Sequence, residues 1–356
     1  MKDKLRFALL GCGRISKKHA EALAALKDAE LAAVCDLSEE KARQTGEKLG
    51  VPHYLNYDLM LSKEEVDVVN ILTPSGMHAE HTVDIVSKYK KHVVCEKPMA
   101  LTLKDADRMI KICSEKGVKL FVIKQNRYNL PVTKLREAIE KQRFGKLVLG
   151  TVRVRWSRDQ KYYDQDGWRG TWALDGGVLA NQASHHIDLL EWMLGEPVEV
   201  SAMTATRLVN IEVEDTAVAT VRFANGSLGV IEATTATRPK DIEGSVSVLG
   251  ERGIVEIGGF AMNEMKVWQF ADEEPEDREV MSKFKENPPN VYGFGHVRYL
   301  QHVIDCLKNH KKAMVDGLEG RKSLELITAL YESAETGKFV KIKKAKGKCK
   351  LGVKND

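Results

Sequence analysis

The stretch LRFALLGCGRISKKHAEALAAL, residues 5–26, decides the fold of the first part of the chain. Its opening run, Leu5 to Leu10, is mostly apolar, as in a strand buried on both faces. Gly11 and Gly13 follow and allow a sharp turn. After the turn, apolar residues recur at helical spacing: Ala20, Leu23 and Leu26. The stretch therefore predicts a strand, a tight turn and a helix.

The glycine turn is also a candidate binding site. Two glycines at this spacing let the backbone approach a pyrophosphate, whose charge the unpaired amides of the helix start can meet. Ser16 stands where a third glycine or alanine is usual, and Arg14 and Ile15 lie inside the turn. The pattern predicts a dinucleotide site.

A second apolar stretch, AELAAVCD, ends in Asp36, about 20 residues beyond the glycines. A carboxylate at this place accepts hydrogen bonds from both ribose hydroxyls and repels a 2′-phosphate, so it favours NAD over NADP. The alternative is an exposed acid that supports the start of the next helix.

The alternation continues with VDVVNIL and KHVVCEKP as further strands, separated by a helix. It predicts a doubly wound parallel sheet, whose ligand lies beyond the carboxyl ends of the strands. The loops TPSGMH and EKP fall at those ends. Their candidate cofactor residues are Thr73, Pro74, His78, Glu96 and Lys97. Lys97 taken alone is more typical of a surface position at a strand end.

From about residue 130 the period changes to short alternating strands. Asn225 and Gly226 lie between two of them, VEDTAVATVRFA and SLGVIEATTAT, and predict a hairpin. The fold class is therefore α/β, with an N-terminal Rossmann sheet and a C-terminal α+β domain whose large, mainly antiparallel sheet is open. An open face favours a homo-oligomer, a dimer or tetramer. The predicted domains are 1–125 for the cofactor, 126–345 for substrate and oligomerisation, and a basic tail, 346–356.

The composition excludes several classes of protein. A chain of 356 residues is long enough for two domains, and 43% hydrophobic with 30% charged residues is globular composition. No apolar run approaches the ~18 residues of a membrane span, and no targeting segment is recognised. Six scattered cysteines favour reduced thiols in the cytoplasm. The net charge of +4 lies largely in the tail, so neither a nucleic acid nor a membrane is expected as a partner.

A long loop, RDQKYYDQDGWRGTWALDGG at residues 158–177, carries several aromatic residues. Long loops of this kind are typical of binding loops or lids, although the rings can also fold the loop on itself. The candidate substrate contacts in the loop are Tyr163, Trp168 and Arg169.

The helix GGVLANQASHHIDLLEW, residues 176–192, follows this loop. At ~100° per residue, Asn181 and His185 share a polar face, whereas His186 points about 100° away and is expected to be buried. A histidine titrating near neutral pH is suited to accept an alcohol proton. Metal binding is not expected, since His78 and His81 have i, i+3 spacing and no clear companion ligand.

Taken together, GCGRI, TPSGMH, CEKP, QNRYN and GGVLANQASHHIDLLEW resemble, in order and spacing, the glucose-fructose oxidoreductase, inositol dehydrogenase and rhizopine-catabolism (Gfo/Idh/MocA) family of NAD(P)-dependent sugar oxidoreductases. The resemblance covers roughly residues 4–342. Within the family, YYDQDGWRGTW and NQASHHIDLLEW look most like bacterial UDP-N-acetylglucosaminuronate 3-dehydrogenases of surface polysaccharide biosynthesis.

The resemblance implies that Lys97 contacts the reacting hydroxyl and that His185 is the acid/base. Many family members have aspartate where this chain has Asn181, and an amide cannot take a proton at neutral pH. The remaining candidate substrate contacts are Gln125, Arg127, Tyr128, Asn129, Asn181 and Gln182.

The predicted function is therefore NAD-dependent oxidation of a sugar secondary alcohol to a ketone, at C3 of UDP-N-acetylglucosaminuronic acid. One alternative is an inositol or other sugar dehydrogenase of the same family. Another, from a different class, is a catalytically silent protein that senses a dinucleotide. Retention of both Lys97 and His185 argues against the silent protein.

Overall fold

The computed structural model describes residues 4–286, 293–342 and 347–353, which form two compact units. The first unit comprises residues up to Lys124 together with 296–321, and the second comprises 125–295 and the residues from 322 onward. Part of the predicted basic tail, 346–356, lies outside the described residues.

The first unit is built around a six-stranded parallel sheet in the order β3-β2-β1-β4-β5-β6. The strands are β1 Leu5–Leu10, β2 Ala29–Cys35, β3 His53–Tyr54, β4 Val68–Ile71, β5 His92–Cys95 and β6 Leu120–Val122. The helices between them are α1 Ser16–Ala24, α2 Glu39–Leu49, α3 Tyr57–Lys63, α4 His78–Tyr89 and α5 Leu103–Glu115. The strand order reverses between β1 and β4, and ligands of such sheets bind beyond the carboxyl ends at this point.

The segment 296–321 belongs to the first unit, although the sequence analysis placed it in the second domain. Val122 of β6 donates its backbone N–H to Val315 O at 3.2 Å, and Phe121 forms an antiparallel bridge with Asp316. A Cβ on Gly320 would lie 2.6 Å from the Val122 side chain. The segment thus extends the hydrogen bonding of β6, which a reading of contiguous stretches does not reveal.

The second unit contains an eight-stranded sheet in the order β13-β12-β11-β7-β10-β9-β8-β14. The strands are β7 Leu147–Arg155, β8 Pro197–Ala205, β9 Thr216–Phe223, β10 Leu228–Thr234, β11 Glu243–Gly250, β12 Gly253–Gly258, β13 Glu264–Phe270 and β14 Val340–Lys341. The helices are α6 Leu130–Glu140, α7 Gln160–Tyr163, α8 Ser184–Leu194 and α9 Asp277–Lys283. Two longer helices, α10 Gly295–Lys308 and α11 Gly317–Thr336, contain residues of both units.

All strand pairs of this sheet are antiparallel except β7 with β10, and β9 and β10 form the predicted hairpin. Helix α8 packs against the middle of the sheet, where glycines allow it to approach closely. A Cβ on Gly150 of β7 would lie 2.6 Å from Leu194, and one on Gly229 of β10 would lie 3.2 Å from Leu190. The predicted fold class is confirmed.

Among the described residues, no helix combines the length and the apolar character needed to cross a membrane.

Candidate active site

The two glycines of the turn in the first unit differ in their surroundings. Gly11 has φ +106°, and a Cβ placed on it would lie 2.8 Å from the backbone of Leu72. Gly13 is exposed, and no atom lies within 4 Å of its would-be Cβ. The chain itself therefore requires Gly11, whereas Gly13 leaves the open space that an approaching pyrophosphate needs. Exposed Arg14 and half-buried Ile15 follow, immediately before α1.

Asp36 follows β2 directly and is half-buried beside this turn. Its Oδ2 accepts a hydrogen bond from Cys12 N at 2.8 Å, and its Oδ1 accepts one from Ser38 N, also at 2.8 Å. Ser38 is the N-cap of α2. The carboxylate thus links the glycine turn to the start of α2. This role is compatible with a ribose ligand, because each carboxylate oxygen can accept more than one hydrogen bond.

His78 links the loop after β4 to the loop after β5. Its ring is 1% exposed, with Nδ1 2.8 Å from Pro98 O and Nε2 2.8 Å from Thr73 O. Burial lowers the pKa of His78, although these two backbone hydrogen bonds oppose the shift. Thr73 and Pro74 are half-buried at the carboxyl end of β4. The protein itself occupies both ring nitrogens of His78, so we assign this residue to positioning the loops.

Glu96 is buried beside Lys97 in a hydrogen-bonded cluster. His19 Nε2 donates to Glu96 Oε1 at 3.0 Å, and Asn70 Nδ2 donates to His19 Nδ1 at 2.9 Å. Glu96 Oε2 accepts the backbone N–H of Lys97 at 3.1 Å. His296 Nε2 lies 3.8 Å from Glu96 Oε1. The cluster therefore fixes the main chain from which the half-buried Lys97 side chain extends.

The charge of the cluster follows from these contacts. Burial alone would raise the pKa of Glu96, but the hydrogen bond from His19 and the nearby His296 ring outweigh it and hold the pKa well below its usual range. Burial lowers the pKa of His19, and the bond to Glu96 offsets part of that shift. Nitrogen and oxygen atoms of His19, Glu96 and His296 lie within 4.8 Å of one another, a spacing that a metal ion could also use. The sequence analysis did not group these three residues, because they come from distant parts of the chain.

In the second unit, the aromatic loop folds around Arg169. The guanidinium carbon lies 4.5 Å from the ring centroid of Trp168 and 4.8 Å from that of Tyr162. Arg169 Nη1 donates to the Tyr162 hydroxyl at 3.0 Å, and Gln182 Nε2 donates to the same oxygen at 3.2 Å. The aromatic rings thus fold the loop on itself, as in the second alternative. Two predicted substrate residues, Arg169 and Gln182, both donate to the same tyrosine hydroxyl.

Tyr163 lies deeper than its neighbours in the loop. It is 8% exposed, and its hydroxyl is 3.2 Å from Thr235 Oγ1. Burial raises the pKa of Tyr163 to about 12. Trp168 and Arg169 keep part of their surface exposed. These two residues are therefore less buried than Tyr163, and their contact with a ligand remains a prediction.

Asn181 lies in a π-helical turn, Val178–Gln182, that precedes α8. Ala183 N donates to Val178 O at 2.7 Å, so this turn is wider than an α-helical one. The prediction that Asn181 and His185 share one α-helical face is therefore wrong in its geometry. Asn181 Nδ2 donates to Asp175 Oδ1, and Asp175 Oδ2 accepts Gly170 N at 2.8 Å. Asp175, which the sequence analysis did not single out, orients the Asn181 amide.

Both histidines of α8 are buried, and the burial of His186 confirms the prediction from the sequence. His186 is 0% exposed, and its ring packs edge-on against Trp156 at 5.6 Å. Burial lowers the pKa of His186 to about 3, so the ring is neutral. His185, 7% exposed, is the second residue of α8.

The predicted polar face of α8 is also buried, and its Asp188 side chain forms an ion pair with Arg127. Arg127 Nε and Nη2 donate to the two carboxylate oxygens of Asp188, both at 2.8 Å. Both side chains are at most 3% exposed. The Arg127 guanidinium also lies 4.7 Å from the Trp192 ring centroid. Arg127 is thus a buried partner of Asp188, and its role as a substrate contact remains a prediction.

The other residues of QNRYN are buried as well. Gln125 is 4% exposed, Tyr128 8% and Asn129 3%. Asn129 Nδ2 donates to Ala261 O at 3.2 Å. The sequence shows the polar character of this segment but not its burial, because the covering residues come from elsewhere in the chain.

Two family models match the chain. Residues 5–124 match the Gfo/Idh/MocA model described as an oxidoreductase family, NAD-binding Rossmann fold. Residues 136–342 match the model for the C-terminal alpha/beta domain of the same family. The second match alone covers more than half of the chain.

Individual relatives agree with these matches. The chain is 42% identical to the WlbA dehydrogenase from Bordetella pertussis, solved in complex with NADH and UDP-GlcNAcA, with a TM-score of 0.88 over 95% of this chain and 98% of that one. It is 41% identical to WlbA from Chromobacterium violaceum, solved with the same two ligands, with a TM-score of 0.89 and 96% of each chain covered. It is 31% identical to myo-inositol 2-dehydrogenase from Thermotoga maritima over 96% of this chain and all of that protein. The protein therefore belongs to the Gfo/Idh/MocA family of oxidoreductases, with an NAD-binding Rossmann domain at residues 5–124.

Proposed function

We propose that the protein is an NAD-dependent dehydrogenase that oxidises C3 of UDP-N-acetylglucosaminuronic acid to a ketone. The observation that carries the proposal is the 42% identity, over 95% of the chain, with a dehydrogenase solved together with NADH and UDP-GlcNAcA. Lys97 and His185, the residues with suitable chemistry, are both present.

The glycine turn fits NAD. Gly13 leaves open space for the pyrophosphate, and the Asp36 carboxylate beside it suits ribose hydroxyls. The carboxyl ends of β4 and β5 supply Thr73, Pro74 and Lys97 on the same edge of the sheet. NAD, when bound, supplies the hydride acceptor for the oxidation.

The residues of the chain handle the proton and the developing charge. His185 accepts the hydroxyl proton as a general base, and the Lys97 ammonium stabilises the alkoxide. Asn181, held by Asp175, orients the sugar but cannot take a proton. Trp168, Arg169 and Gln182 are the proposed contacts for the remainder of the substrate, since phosphates and a carboxylate need cationic and amide donors.

NAD reduction tests the reaction and its substrate together. The purified protein is given NAD with UDP-N-acetylglucosaminuronic acid, myo-inositol or free hexoses, and the product is identified by NMR. We expect NADH and a 3-keto sugar from the nucleotide sugar, and binding of UDP alone in calorimetry. Reduction of NAD by inositol without any UDP binding would select the second candidate, an inositol dehydrogenase, which the 31% identity to the Thermotoga maritima enzyme favours. NAD binding without reduction across the panel would indicate the silent dinucleotide sensor.

Single substitutions test the roles of the two proposed catalytic residues. Lys97→Ala and His185→Asn should each lower kcat by roughly 10² or more, because general acid–base and electrostatic assistance are lost. The affinity for NAD, measured by calorimetry, should change little. Lys104→Ala and His53→Asn, at exposed positions, are the matched controls. Full turnover in both active-site variants would reject the assignment.

We also propose that the protein is a cytoplasmic homo-oligomer assembled through the open face of the second sheet. Neighbouring strands expose apolar side chains on one face: Met203, Val218, Leu228 and Val230. Packing against a second subunit removes these apolar side chains from water and stabilises the assembly. The six cysteines form no disulfide, as in a reducing compartment. Sedimentation equilibrium measures the assembly, and a monomer at micromolar concentration would contradict it.

A further inference from the structure

Glu214 and Tyr331 bind three successive backbone amides at the start of the π-helical turn. Gly177 N donates to the Tyr331 hydroxyl oxygen at 3.0 Å, Val178 N to Glu214 O at 3.0 Å, and Leu179 N to Glu214 Oε1 at 3.0 Å. The Tyr331 hydroxyl itself donates to Glu214 Oε1 at 2.8 Å. Helix starts leave such amides without intrahelical partners, so the Tyr331 hydroxyl caps Gly177, the Glu214 carboxyl group caps Leu179, and the Glu214 main chain accepts Val178 N.

The cap is closely fitted to a glycine. A Cβ placed on Gly177 would lie 2.0 Å from Glu214 Oε2, so the carboxyl group rests directly on the Gly177 main chain. Glu214 is 4% exposed and Tyr331 is 1% exposed. In the part of the chain that the structure describes, Glu214 Oε2 has no hydrogen-bond partner. A buried carboxyl group with one unsatisfied oxygen destabilises the fold, and its presence therefore needs a reason beyond packing.

The capped segment carries two residues of the candidate active site, and this gives the reason. The π-helical turn contains Asn181 and leads through Ala183 into α8, whose second residue is His185. Fixing the amides of residues 177–179 fixes the start of this segment, whereas the wide turn alone leaves more than one hydrogen-bonding arrangement available to it. Neither Glu214 nor Tyr331 has been assigned a role above.

We propose that Glu214 and Tyr331 are positioning residues that hold residues 177–185 in one arrangement and thereby place His185 for proton transfer. The inference rests on the proposed function for the role of His185. The capping itself is independent of any substrate.

Four variants of the full-length protein test the proposal. Tyr331→Phe removes a single oxygen atom, and Glu214→Leu removes both carboxyl oxygens. Glu214→Gln keeps a carbonyl oxygen for Leu179 N and is the conservative variant. Thr328→Val is the matched control, because Thr328 is buried on the same helix but donates only to Leu324 O within it.

Hydrogen–deuterium exchange and kinetics are measured on all four. We expect the Gly177 amide in Tyr331→Phe and the Leu179 amide in Glu214→Leu to exchange about tenfold faster, as after loss of a helix cap. The value of kcat should fall about tenfold while KM for NAD stays unchanged. Glu214→Gln should recover most of both losses, and Thr328→Val should alter neither exchange in 177–185 nor kcat.

Two results would overturn the proposal. One is that the amides of residues 177–179 exchange at the wild-type rate in both Tyr331→Phe and Glu214→Leu. This result would show that the two side chains do not cap the turn, whatever the substrate is. The other is that these amides exchange faster while kcat stays at the wild-type value. This result would show that the cap exists but does not affect catalysis. Failure of the proposed substrate would show separately, as absence of turnover in the wild-type protein, and the exchange data would still decide the capping.

Discussion

At the scale of single residues, chemically similar groups receive different roles from their surroundings. His186 is fully buried against Trp156 and is held neutral by the loss of hydration, whereas its neighbour His185 keeps some exposure. The amide of Asn181 likewise depends on its partner, because the Asp175 carboxylate accepts its N–H. Residue type alone therefore predicts the available chemistry but not the protonation state or orientation.

The Asn181–Asp175 pair leads to a prediction at this scale. Asn181→Asp places a second carboxyl group against Asp175, removes a donor and raises the pKa of the pair by repulsion between like charges. We expect the free energy of unfolding to fall by about 1–3 kcal/mol at pH 8 and to recover at pH 5, where one carboxyl group is protonated. Urea unfolding at the two pH values measures this. The double variant Asp175→Asn, Asn181→Asp restores one donor and one carboxylate, so it should recover stability at pH 8, and an equally stable single variant would contradict the argument.

At the scale of secondary-structure elements, strong local patterns predicted more than sparse ones did. The strands β1, β2, β4 and β5 and the hairpin of β9 with β10 follow from apolar runs and turn residues. The two residues of β3 and the three of β6 are too few to show a period, and β8 was not identified. The π-helical turn is not visible either, because its cap comes from Glu214 and Tyr331, far away in sequence.

The candidate site was predictable to the same extent. The glycine turn, Asp36 and the strand-end loops lie where the sequence places them, since they follow from the order of the strands. The burial of Arg127 and His78 was not predictable, because it depends on Asp188 and on the Pro98 carbonyl, which only the fold brings near. The catalytic roles of Lys97 and His185 remain predictions.

The glycine turn allows a matched pair of substitutions at the scale of one element. In Gly11→Ala the added Cβ would lie 2.8 Å from the Leu72 backbone, and alanine would have to adopt a φ of +106°. The substitution should therefore lower the free energy of unfolding by about 1–3 kcal/mol. Gly13→Ala meets no atom within 4 Å and should leave stability unchanged, while its methyl group occupies the space proposed for the pyrophosphate and weakens NAD binding. Thermal unfolding and NAD calorimetry separate the two effects. Unchanged NAD affinity in Gly13→Ala would contradict the proposed cofactor position.

At the scale of the whole molecule, two buried groups of the second unit act on its stability in opposite directions over overlapping pH ranges. His186 has a pKa of about 3 in the folded protein, below its ordinary value of 6.5, because burial disfavours the charged ring. Glu214 has a pKa of about 7, above its ordinary value of 4.5, for the same reason. His186 therefore sets part of an acid limit, whereas Glu214 weakens the fold as the pH rises from 4.5 to about 7, and the two effects oppose each other between pH 4.5 and 6.5.

His186→Leu tests the acid limit. As the pH falls from 6.5 to 3, the unfolded chain binds a proton at His186 that the folded chain does not, so the free energy of unfolding decreases by roughly 4 kcal/mol. Leucine removes this dependence, and at pH 7 it should change stability little, because neither ring nitrogen has a hydrogen-bond partner within the described ranges. Urea unfolding between pH 4 and 7 gives the slope. Identical slopes in the variant and the wild type would show that His186 is protonated in the folded state.

Glu214→Gln tests the contribution of Glu214. As the pH rises from 4.5 to about 7, the unfolded chain loses its proton at Glu214 while the folded chain retains it, so stability falls by roughly 3 kcal/mol across this window. Glutamine does not ionise, and the decrease should disappear, while the bond from Leu179 N to a side-chain oxygen persists. Combining Glu214→Gln with His186→Leu should remove both contributions, which oppose each other between pH 4.5 and 6.5, and urea unfolding from pH 4 to 8 measures this. A decrease between pH 4.5 and 7 that persists in Glu214→Gln would mean that Glu214 is already ionised in the folded protein at pH 4.5.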